Sequence, residues 1–537
     1  MKKNTLFLIF LFLSVTLFGQ GQNYAIHSRG TFYVAVEDEA VREEYSSPSI
    51  PLDVFYMYDT KAKSKTVRVF SNQDTFQVKV KVNKGVDFLV INKNDTAHHQ
   101  LLLVNQLPNN ITVEEKLEAL SSFWSEVRYN FAFYDKLTFD WDSLYHAYIP
   151  LVLRSPNDFA YSELMSKFCG SLQDAHTNVF TPNYGYPFGD YYGFGAKFFE
   201  DTLRLVIVDS ILSSIYPIGS KILKINGENI DDYMEKNIYP YVSSKFKPTQ
   251  QVLGASKLFA MSGYDNTLEI EYETPEGERR IGTPIRDGEK YRRPSVGRTP
   301  EHDHNDIRIS WIDSTNIAVL KVNSFYGDDI IRDFDRMKDT LYTADGIIFD
   351  IRENGGGSTD VAWHFLNHFI QDPYYLNFAW QTRVNDGVKK ATGNFIEKNS
   401  DYFKMNAYRM VEADTILIPD SIRRFQCPIV VLTSTYTCSA AEDFLIILYE
   451  RPDRPKIIGQ PSFGSTGSPL VIWNWPIEGG FARICTRRVL FPYSHKPFTE
   501  GIMPDVWVKD TFEDYIQGRD KTLEVAVKEI KQSIGNR

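Results

Sequence analysis

The chain has 537 residues, of which 43% are hydrophobic and 24% charged, and its formal net charge is −10. One hydrophobic core cannot organise this length, so two to four domains with an ordinary globular composition are expected. The negative net charge argues against a nucleic-acid partner, because binding phosphates requires a basic surface.

The N-terminus has the three parts of a secretory signal peptide. Lys2 and Lys3 supply positive charge, residues 6–18 are almost continuously apolar, and small and polar residues follow at 19–21. The apolar run is shorter than the roughly 20 residues that span a bilayer, and no later segment is long and apolar enough. We therefore assign residues 1–20 to a signal peptide and predict export to the periplasm or the extracellular space, without a transmembrane span.

The following 23–110 segment alternates apolar and polar residues and is rich in β-branched and aromatic side chains. Such alternation is typical of half-buried strands. It predicts an N-terminal antiparallel β domain, in which no residue pattern indicates chemistry.

Residues 111–185 change to a helical period. Thr112 and Glu115 form the pattern of a capping box, and an apolar stripe at helical spacing follows them. Further helical stretches near residues 141–153 and 161–172 complete a helical layer. It ends in an Asp-Ala-His-Thr turn that contains His176.

Residues 186–287 return to strand patterns, and the dipeptide at 226–227, Asn-Gly, predicts a tight turn between two of them. Near the start, Gly193, Phe194 and Gly195 expose backbone amides beside an apolar side chain. Such a loop can receive the carboxylate of a peptide C-terminus, and the neighbouring sheet edge can take the peptide as an added strand. The alternative is an ordinary strand and turn.

Metal and disulfide chemistry find little support in the sequence. Two close histidine pairs, His302 with His304 and His364 with His368, lack further ligands nearby, so solvated or packing roles are expected. Neither a disulfide framework nor zinc-ligand spacing is present among the four cysteines, Cys169, Cys427, Cys438 and Cys485. We expect free thiols, no metal site and no cofactor.

From 305 to 510 strands and helices alternate, which predicts an α/β core with largely parallel strands, followed by a C-terminal helix at 511–537. Ligands of such sheets bind beyond the carboxyl ends of the strands. Two loops lie there. Residues 350–357 end in three glycines, whose unobstructed amides suit an oxyanion hole. A phosphate-binding loop is the competing interpretation, but no Gly-Lys-Ser/Thr follows.

The second loop, residues 433–439, places Ser439 at the start of a helix. There the helix dipole favours developing negative charge, and the Ala440 amide lies beside the hydroxyl. The alternative is that Ser439 only caps the helix together with Glu442. A serine nucleophile also needs a base, for which His176 is a candidate.

These motifs, in this order, resemble those of the tail-specific (C-terminal-processing) serine peptidases, in particular the branch of the tricorn core protease and the interphotoreceptor retinoid-binding protein repeats. The resemblance covers roughly residues 112–508. The motifs that carry it are Asp-x-Arg-x-Asn-x-Gly-Gly at 350–357, Thr-Cys-Ser-Ala-Ala-Glu at 437–442, Gly-Gln-Pro-Ser-Phe-Gly at 459–464 and Gly-Ile-Met-Pro-Asp at 501–505.

The resemblance implies a ClpP/crotonase-like α/β core preceded by a PDZ-like β domain at 186–287, a helical layer and the N-terminal β domain. It implies a polypeptide substrate, recognised at its C-terminus by Gly193, Phe194 and Gly195. Ser439 would be the nucleophile, and Gly356 and Ala440 would form the oxyanion hole.

Two departures from the family concern the base. Bacterial processing peptidases carry a lysine at the position of Ser465, so the Ser–Lys dyad is absent, and Lys456 stands too early to replace it. The tricorn-like branch uses a histidine at the position of His176, preceded by a serine that links it to a distant glutamate. Here Ala175 replaces that serine, and the acids that remain as candidates are Glu500 and Asp174.

The functional hypothesis is an exported serine peptidase that forms an acyl-enzyme on Ser439, with His176 as general base. One alternative is an inactive relative of the same fold that binds a peptide or an apolar ligand. The other is an esterase for small substrates. The sequence does not determine the oligomeric state.

Overall fold

The computed structural model describes residues 24–29, 32–37, 54–57, 64–71, 75–81, 86–90, 102–105, 110–155, 158–180, 192–261, 268–284 and 306–535. In the N-terminal part these are seven strands: β1 (Tyr24–Arg29), β2 (Phe32–Glu37), β3 (Val54–Met57), β4 (Ser64–Ser71), β5 (Thr75–Lys81), β6 (Val86–Val90) and β7 (Leu102–Asn105). All pairings among them are antiparallel, in the groups β1-β2, β3-β4-β5 and β6-β7. The predicted signal peptide and the His302 and His304 pair lie outside the described residues.

The helical layer begins with the predicted capping box. Thr112 Oγ1 accepts from the Glu115 N–H (3.1 Å), and the Glu115 carboxylate accepts from the Thr112 N–H (2.7 Å). Trp141 and Phe168 stack in its core, with ring centroids 4.4 Å apart. The elements are α1 (Val113–Asn130), α2 (Trp141–Arg154), α3 (Asp158–Gly170) and β8 (Asn178–Phe180). This core continues into Ile484 and Trp475, so the layer packs on the following α/β part.

A second β unit spans 192–284. Its sheet has the order β14-β13-β11-β10-β9, and β12 pairs with β11. Asn226 (φ +50°) and Gly227 (φ +80°) form the predicted tight turn, since two positive φ values define a type I′ hairpin. The elements are β9 (Phe194–Phe199), β10 (Thr202–Val208), β11 (Lys221–Ile225), β12 (Glu228–Asn229), α4 (Ile230–Tyr233), α5 (Lys247–Met261), β13 (Ile270–Glu273) and β14 (Arg279–Gly282).

The α/β core is built on a six-stranded sheet of order β15-β16-β17-β22-β23-β27, in which only β15 is antiparallel to its neighbour. The prediction of largely parallel strands is confirmed. Every residue of β17 is buried, as expected for a strand covered on both faces. The sheet strands are β15 (Ile307–Trp311), β16 (Ile317–Val322), β17 (Gly346–Asp350), β22 (Ile429–Thr433), β23 (Lys456–Gly459) and β27 (Val506–Trp507).

Helices and small sheets surround this core. The helices are α6 (Asp328–Leu341), α7 (Thr359–Phe369), α8 (Gly387–Thr392), α9 (Ser400–Phe403), α10 (Ala440–Tyr449), α11 (Phe512–Gln517) and α12 (Lys521–Gly535). The remaining strands are β18 (Tyr374–Leu376), β19 (Ala379–Arg383), β20 (Tyr408–Val411), β21 (Thr415–Leu417), β24 (Pro469–Ile472), β25 (Phe481–Cys485) and β26 (Arg488–Leu490). The predicted single C-terminal helix is divided in two, because Gly518 adopts a left-handed conformation (φ +68°) and ends α11.

One small sheet joins the helical layer to the core. It has the order β24-β25-β8, so the strand that directly follows His176 pairs with a core strand. All four cysteines are free thiols. In the described part of the chain no helix is long and apolar enough to cross a membrane.

Candidate active site

Three segments meet at the carboxyl ends of β17, β22 and β23: residues 350–357, 433–442 and 459–466. The Cys438 N–H donates to the Asn354 carbonyl oxygen (3.0 Å), and the Phe463 N–H donates to the Thr437 carbonyl oxygen (2.9 Å). The Thr437 hydroxyl donates to the Ile351 carbonyl oxygen (2.8 Å). The middle segment is therefore held between the other two.

The glycine-rich loop is fixed by its own polar side chains. The Arg352 guanidinium binds the Asp350 carboxylate (2.7 Å) and the Asp520 carboxylate (2.8 Å). The buried Asn354 side chain donates to the Val322 carbonyl oxygen (3.2 Å) and accepts from the Gly356 N–H (2.9 Å). These contacts explain why Asp, Arg and Asn occupy fixed places in this motif.

Ser439 stands between β22 and α10 in a strained conformation, with φ +57° and ψ −123°. A positive φ of this kind costs a non-glycine residue on the order of 1–3 kcal/mol and is found mostly at functional sites. Its N–H faces the Glu442 carboxylate (3.3 Å) and the Ser465 carbonyl oxygen (3.3 Å). The contact between Glu442 and the Ser439 N–H is the one expected of a capping box. The Ser439 hydroxyl, however, lies within hydrogen-bond distance of a histidine.

That histidine is His176, whose Nε2 lies 3.0 Å from Ser439 Oγ. The turn that carries it is anchored to the core, because the Cys485 N–H donates to Thr177 Oγ1 (3.1 Å). The side chain is only 3% exposed. Burial, together with the nearby Arg483 cation, lowers the pKa of His176 to about 3. The imidazole is therefore neutral at pH 7, the form that can accept a proton.

The other ring nitrogen of His176 faces Ser465. Nδ1 lies 2.7 Å from Ser465 Oγ, and Ser465 Oγ lies 3.4 Å from Asp174 Oδ1. Burial raises the pKa of Asp174, whereas hydrogen bonds and Arg483 lower it. The sequence indicated Asp174 as a possible acid but missed Ser465 as its intermediary. The available signal was a hydroxyl at the place where related peptidases carry lysine.

Glu442 joins the nucleophile to the segment that holds Ser465. Its carboxylate accepts from the Ser462 hydroxyl (2.5 Å), the Gly464 N–H (2.6 Å) and the Ser465 N–H (3.0 Å), and it also faces the Ser439 N–H. Burial raises the pKa of Glu442 to about 8, against the effect of these donors. Sequence reasoning assigned Glu442 only to a helix cap and did not anticipate these contacts.

The two residues predicted for the oxyanion hole flank Ser439, but their amides differ. A Cβ on Gly356 (φ +97°) would lie 2.6 Å from the Ser439 Cβ, so glycine is required for this close approach. The Gly356 N–H donates to the Asn354 side chain. The Ala440 N–H has no acceptor among the described residues. The Ala440 amide is therefore open to a ligand, whereas the Gly356 amide is engaged within its loop.

The structure does not bring Glu500, the predicted acid partner, to His176. Glu500 is exposed, and its backbone passes beside Gly464. In the described part of the chain, the contact at His176 Nδ1 is made by Ser465, so the place expected for Glu500 is already occupied. Lys456 does not serve as the base either, because its ammonium pairs with the Glu529 carboxylate on α12.

Phe194 and Gly195 begin β9, an edge strand of the second β unit, and Gly193 directly precedes it. Phe194 is buried against Phe259 of α5, with ring centroids 5.5 Å apart. The Gly193 carbonyl oxygen accepts from the Asp209 N–H (2.7 Å), and Gly193 has a positive φ of +76°. Residues 181–191, which lead into this strand, lie outside the described residues.

The described residues contain no group of three or more His, Cys, Asp or Glu side chains that could hold a metal ion. His368 is buried in the core, and its Nδ1 lies 2.8 Å from the Tyr342 hydroxyl. His364 faces the Asp335 carboxylate at 3.1 Å. Both histidines of the α7 pair thus have protein partners.

Residues 316–508 match the family described as Peptidase family S41. The matched segment contains the glycine-rich loop, Ser439 and Ser465, whereas His176 precedes it. The match confirms the resemblance to tail-specific peptidases for the α/β core. A comparison with curated proteins finds no significant match.

Two solved structures, both of CPAF, share the fold over most of the chain. Mature CPAF is 15% identical with a TM-score of 0.59, and the alignment covers 79% of this chain and 98% of that one. Mature CPAF complexed with lactacystin is 14% identical with a TM-score of 0.57, and the alignment covers 79% of this chain and 99% of that one. The photosystem II D1 C-terminal processing protease is 14% identical with a TM-score of 0.37, and the alignment covers 73% of this chain and 93% of that one. At such identities the CPAF likeness is one of fold.

Proposed function

We propose, from the premise that residues 316–508 are the core of a serine-type peptidase of family S41, that the chain hydrolyses polypeptides through an acyl-enzyme on Ser439. His176 is the general base. The observation that carries this proposal is the 3.0 Å separation of His176 Nε2 and Ser439 Oγ. The same contact disfavours an inactive binding protein, because such a protein would not need to keep the histidine and the serine within hydrogen-bond distance.

In the acylation step, neutral His176 removes the Ser439 proton while Oγ attacks the carbonyl carbon of the scissile peptide bond. The imidazolium then gives that proton to the amine nitrogen as the C–N bond breaks, which leaves the acyl group as an ester on Ser439 Oγ. The strained backbone of Ser439 and the start of α10 direct the hydroxyl out of the helix. The proton thus passes from Ser439 to His176 and then to the leaving amine.

The developing oxyanion is held by the Ala440 N–H, which has no competing acceptor in the described part of the chain. Gly356 provides the second amide when it turns from the Asn354 side chain to the substrate. Each donor of this kind contributes on the order of 3 kcal/mol to the transition state. Water activated by His176 then releases the acyl group from Ser439.

The substrate class follows from the second β unit. Strand β9 lies at a sheet edge beside α5, and an extended peptide can pair with such an edge. Gly193, which precedes this strand, and Phe194 and Gly195, which begin it, would receive the peptide C-terminus. We therefore infer that the PDZ-like unit presents polypeptide C-termini to the active site.

The compartment follows from the N-terminal sequence. The charged, apolar and small-residue parts of 1–20 fit a secretory signal peptide. Expression of the full chain followed by N-terminal sequencing of the mature form tests this assignment.

The catalytic assignment is tested with Ser439→Ala and His176→Ala, assayed on an unfolded polypeptide. Ser155→Ala and His146→Ala are matched controls, because Ser155 caps α2 far from the site and His146 is exposed on the same helix. We expect both site variants to lose cleavage and both controls to retain it. Unchanged cleavage by either site variant would remove that residue from the mechanism.

A further inference from the structure

The residue at the place of the absent lysine contacts the base. Ser465 Oγ lies 2.7 Å from His176 Nδ1, and it lies 3.4 Å from Asp174 Oδ1. Ser465 is 6% exposed, so water does not compete freely for these contacts. We propose that Ser465 is a positioning residue that fixes the tautomer of His176 and connects its ring to the Asp174 carboxylate. The inference rests on the proposed role of His176 as general base.

The direction of each hydrogen bond follows from the donors and acceptors present. An ionised carboxylate only accepts, and the Thr177 hydroxyl donates to Asp174 Oδ2 (2.6 Å). The remaining oxygen, Oδ1, accepts from the Ser465 hydroxyl. Having used its one proton, Ser465 Oγ accepts from the Nδ1–H of His176. The lone pair of His176 is then on Nε2, facing the Ser439 hydroxyl.

A nearby cation and several hydrogen-bond donors favour the ionised form of Asp174. Arg483 lies on β25, where its Nε donates to the Asn178 side chain (2.7 Å). Burial raises the pKa of Asp174, and the hydrogen bonds from the Thr177 hydroxyl, the His176 N–H and the Ser465 hydroxyl, together with the Arg483 cation, act against that rise. An anion at this place stabilises the imidazolium that forms when His176 takes the Ser439 proton.

Ser465 is also fixed with respect to the nucleophile. Its N–H donates to Glu442 Oε2 (3.0 Å), and its carbonyl oxygen faces the Ser439 N–H (3.3 Å). One residue thus touches the base through its side chain and the nucleophile through its backbone. In this chain the segment that supplies a lysine base in bacterial processing peptidases instead holds a histidine base in place.

The first experiment compares Ser465→Ala with Ser465→Thr in the full chain. The alanine variant should lower kcat on the order of tenfold to a hundredfold at nearly constant KM, because one buried hydrogen bond to the ring is lost. Threonine keeps the hydroxyl and should restore most of kcat. Ser155→Ala controls for loss of a buried serine hydroxyl elsewhere. An unchanged kcat in Ser465→Ala, or no rescue by threonine, would overturn the proposal.

The second experiment reads the tautomer directly. In ¹⁵N-histidine-labelled protein, the His176 signals, assigned by their loss in His176→Ala, should show the proton on Nδ1. In Asp174→Asn the amide oxygen replaces the acceptor of the Thr177 hydroxyl, so its NH₂ faces Ser465 and turns the serine proton toward Nδ1. The His176 proton should then move to Nε2. A proton on Nε2 in the unmodified protein would contradict the inference.

The two hypotheses fail in different ways. If the unmodified protein neither cleaves polypeptide nor reacts with a fluorophosphonate at Ser439, the proposed function fails. If it does both, and Ser465→Ala reacts at Ser439 as fast as the unmodified protein, only the positioning role of Ser465 fails. A slower reaction at the same residue supports both.

Discussion

His176 Nε2 and Ser439 Oγ lie 3.0 Å apart although 263 residues separate them in the sequence. The histidine belongs to the helical layer, and the serine belongs to the α/β core. The active site is therefore complete only when these two parts dock. Residues that hold the interface should matter for catalysis without touching the substrate.

Arg488 is such a residue. It is buried, pairs with Asp135 of the helical layer, and donates to the Ala132 carbonyl oxygen (2.9 Å). Arg488→Ala removes the buried cation that bridges Asp135 and the Ala132 carbonyl oxygen, leaving Asp135 with the exposed Lys136, and should lower the free energy of unfolding by roughly 2–4 kcal/mol. Arg519→Ala, at an exposed pair with Glu524, should change the free energy of unfolding far less, because water screens that pair. Urea unfolding checks both values, and equal losses would argue against an interface role.

Gly356→Ala tests the close approach of the glycine-rich loop to the nucleophile. The added methyl group would lie 2.6 Å from the Ser439 Cβ, in a conformation with φ +97°. We expect kcat to fall by about a hundredfold or more and the free energy of unfolding to fall by about 1–3 kcal/mol.

Gly355→Ala is the matched control, because a Cβ there meets nothing within 4 Å. It should retain activity within a small factor. Equal activity of the two variants would show that the approach of Gly356 to Ser439 is not needed for catalysis.

Glu442 should make stability depend on pH. Burial raises its pKa from 4.5 to about 8. Between these values the folded state binds the proton that the unfolded state has lost. The free energy of unfolding should therefore fall as pH rises, by about 1.4 kcal/mol per pH unit for one proton.

The window from pH 6.5 to 8 isolates this effect from His176. Because the pKa of His176 is lowered to about 3 from 6.5, its contribution to the free energy of unfolding rises with pH and levels off above pH 6.5, so it cannot produce a fall across the window. Glu442→Gln should be less stable overall and should lose the slope between pH 6.5 and 8. Urea unfolding at several pH values measures it, and parallel slopes in the two proteins would refute the assignment.

Recognition of a peptide C-terminus is tested by binding to the Ser439→Ala variant, which cannot consume the peptide. A peptide with a free carboxylate should bind on the order of tenfold more tightly than its C-terminal amide, because charge-assisted hydrogen bonds to backbone amides are lost in the amide. Gly193→Ala, at φ +76°, should reduce this difference. Fluorescence anisotropy measures both, and equal binding of the two peptides would exclude recognition of the terminus.

Much of the fold could be predicted from local patterns. The capping box of Thr112 and Glu115 and the Asn-Gly turn at 226–227 both have the expected geometry. Local pattern also placed Ser439 at a strand-to-helix junction. These features depend on neighbours within a few residues, so a single sequence contains them.

The partners of His176 could not be predicted in the same way. Ser465 is 289 residues from His176, and their contact depends on the docking of two layers. The motif order led instead to Glu500, which is exposed in the structure. Spacing along the chain does not report which side chain reaches a ring nitrogen across an interface.

The most direct test of the account is reaction with a fluorophosphonate probe, followed by digestion and mass spectrometric mapping of the adduct. We predict one adduct, on Ser439, formed on the order of a thousandfold or more slowly in His176→Ala because the general base is missing. An adduct on another residue, or an equal rate of labelling without His176, would contradict it.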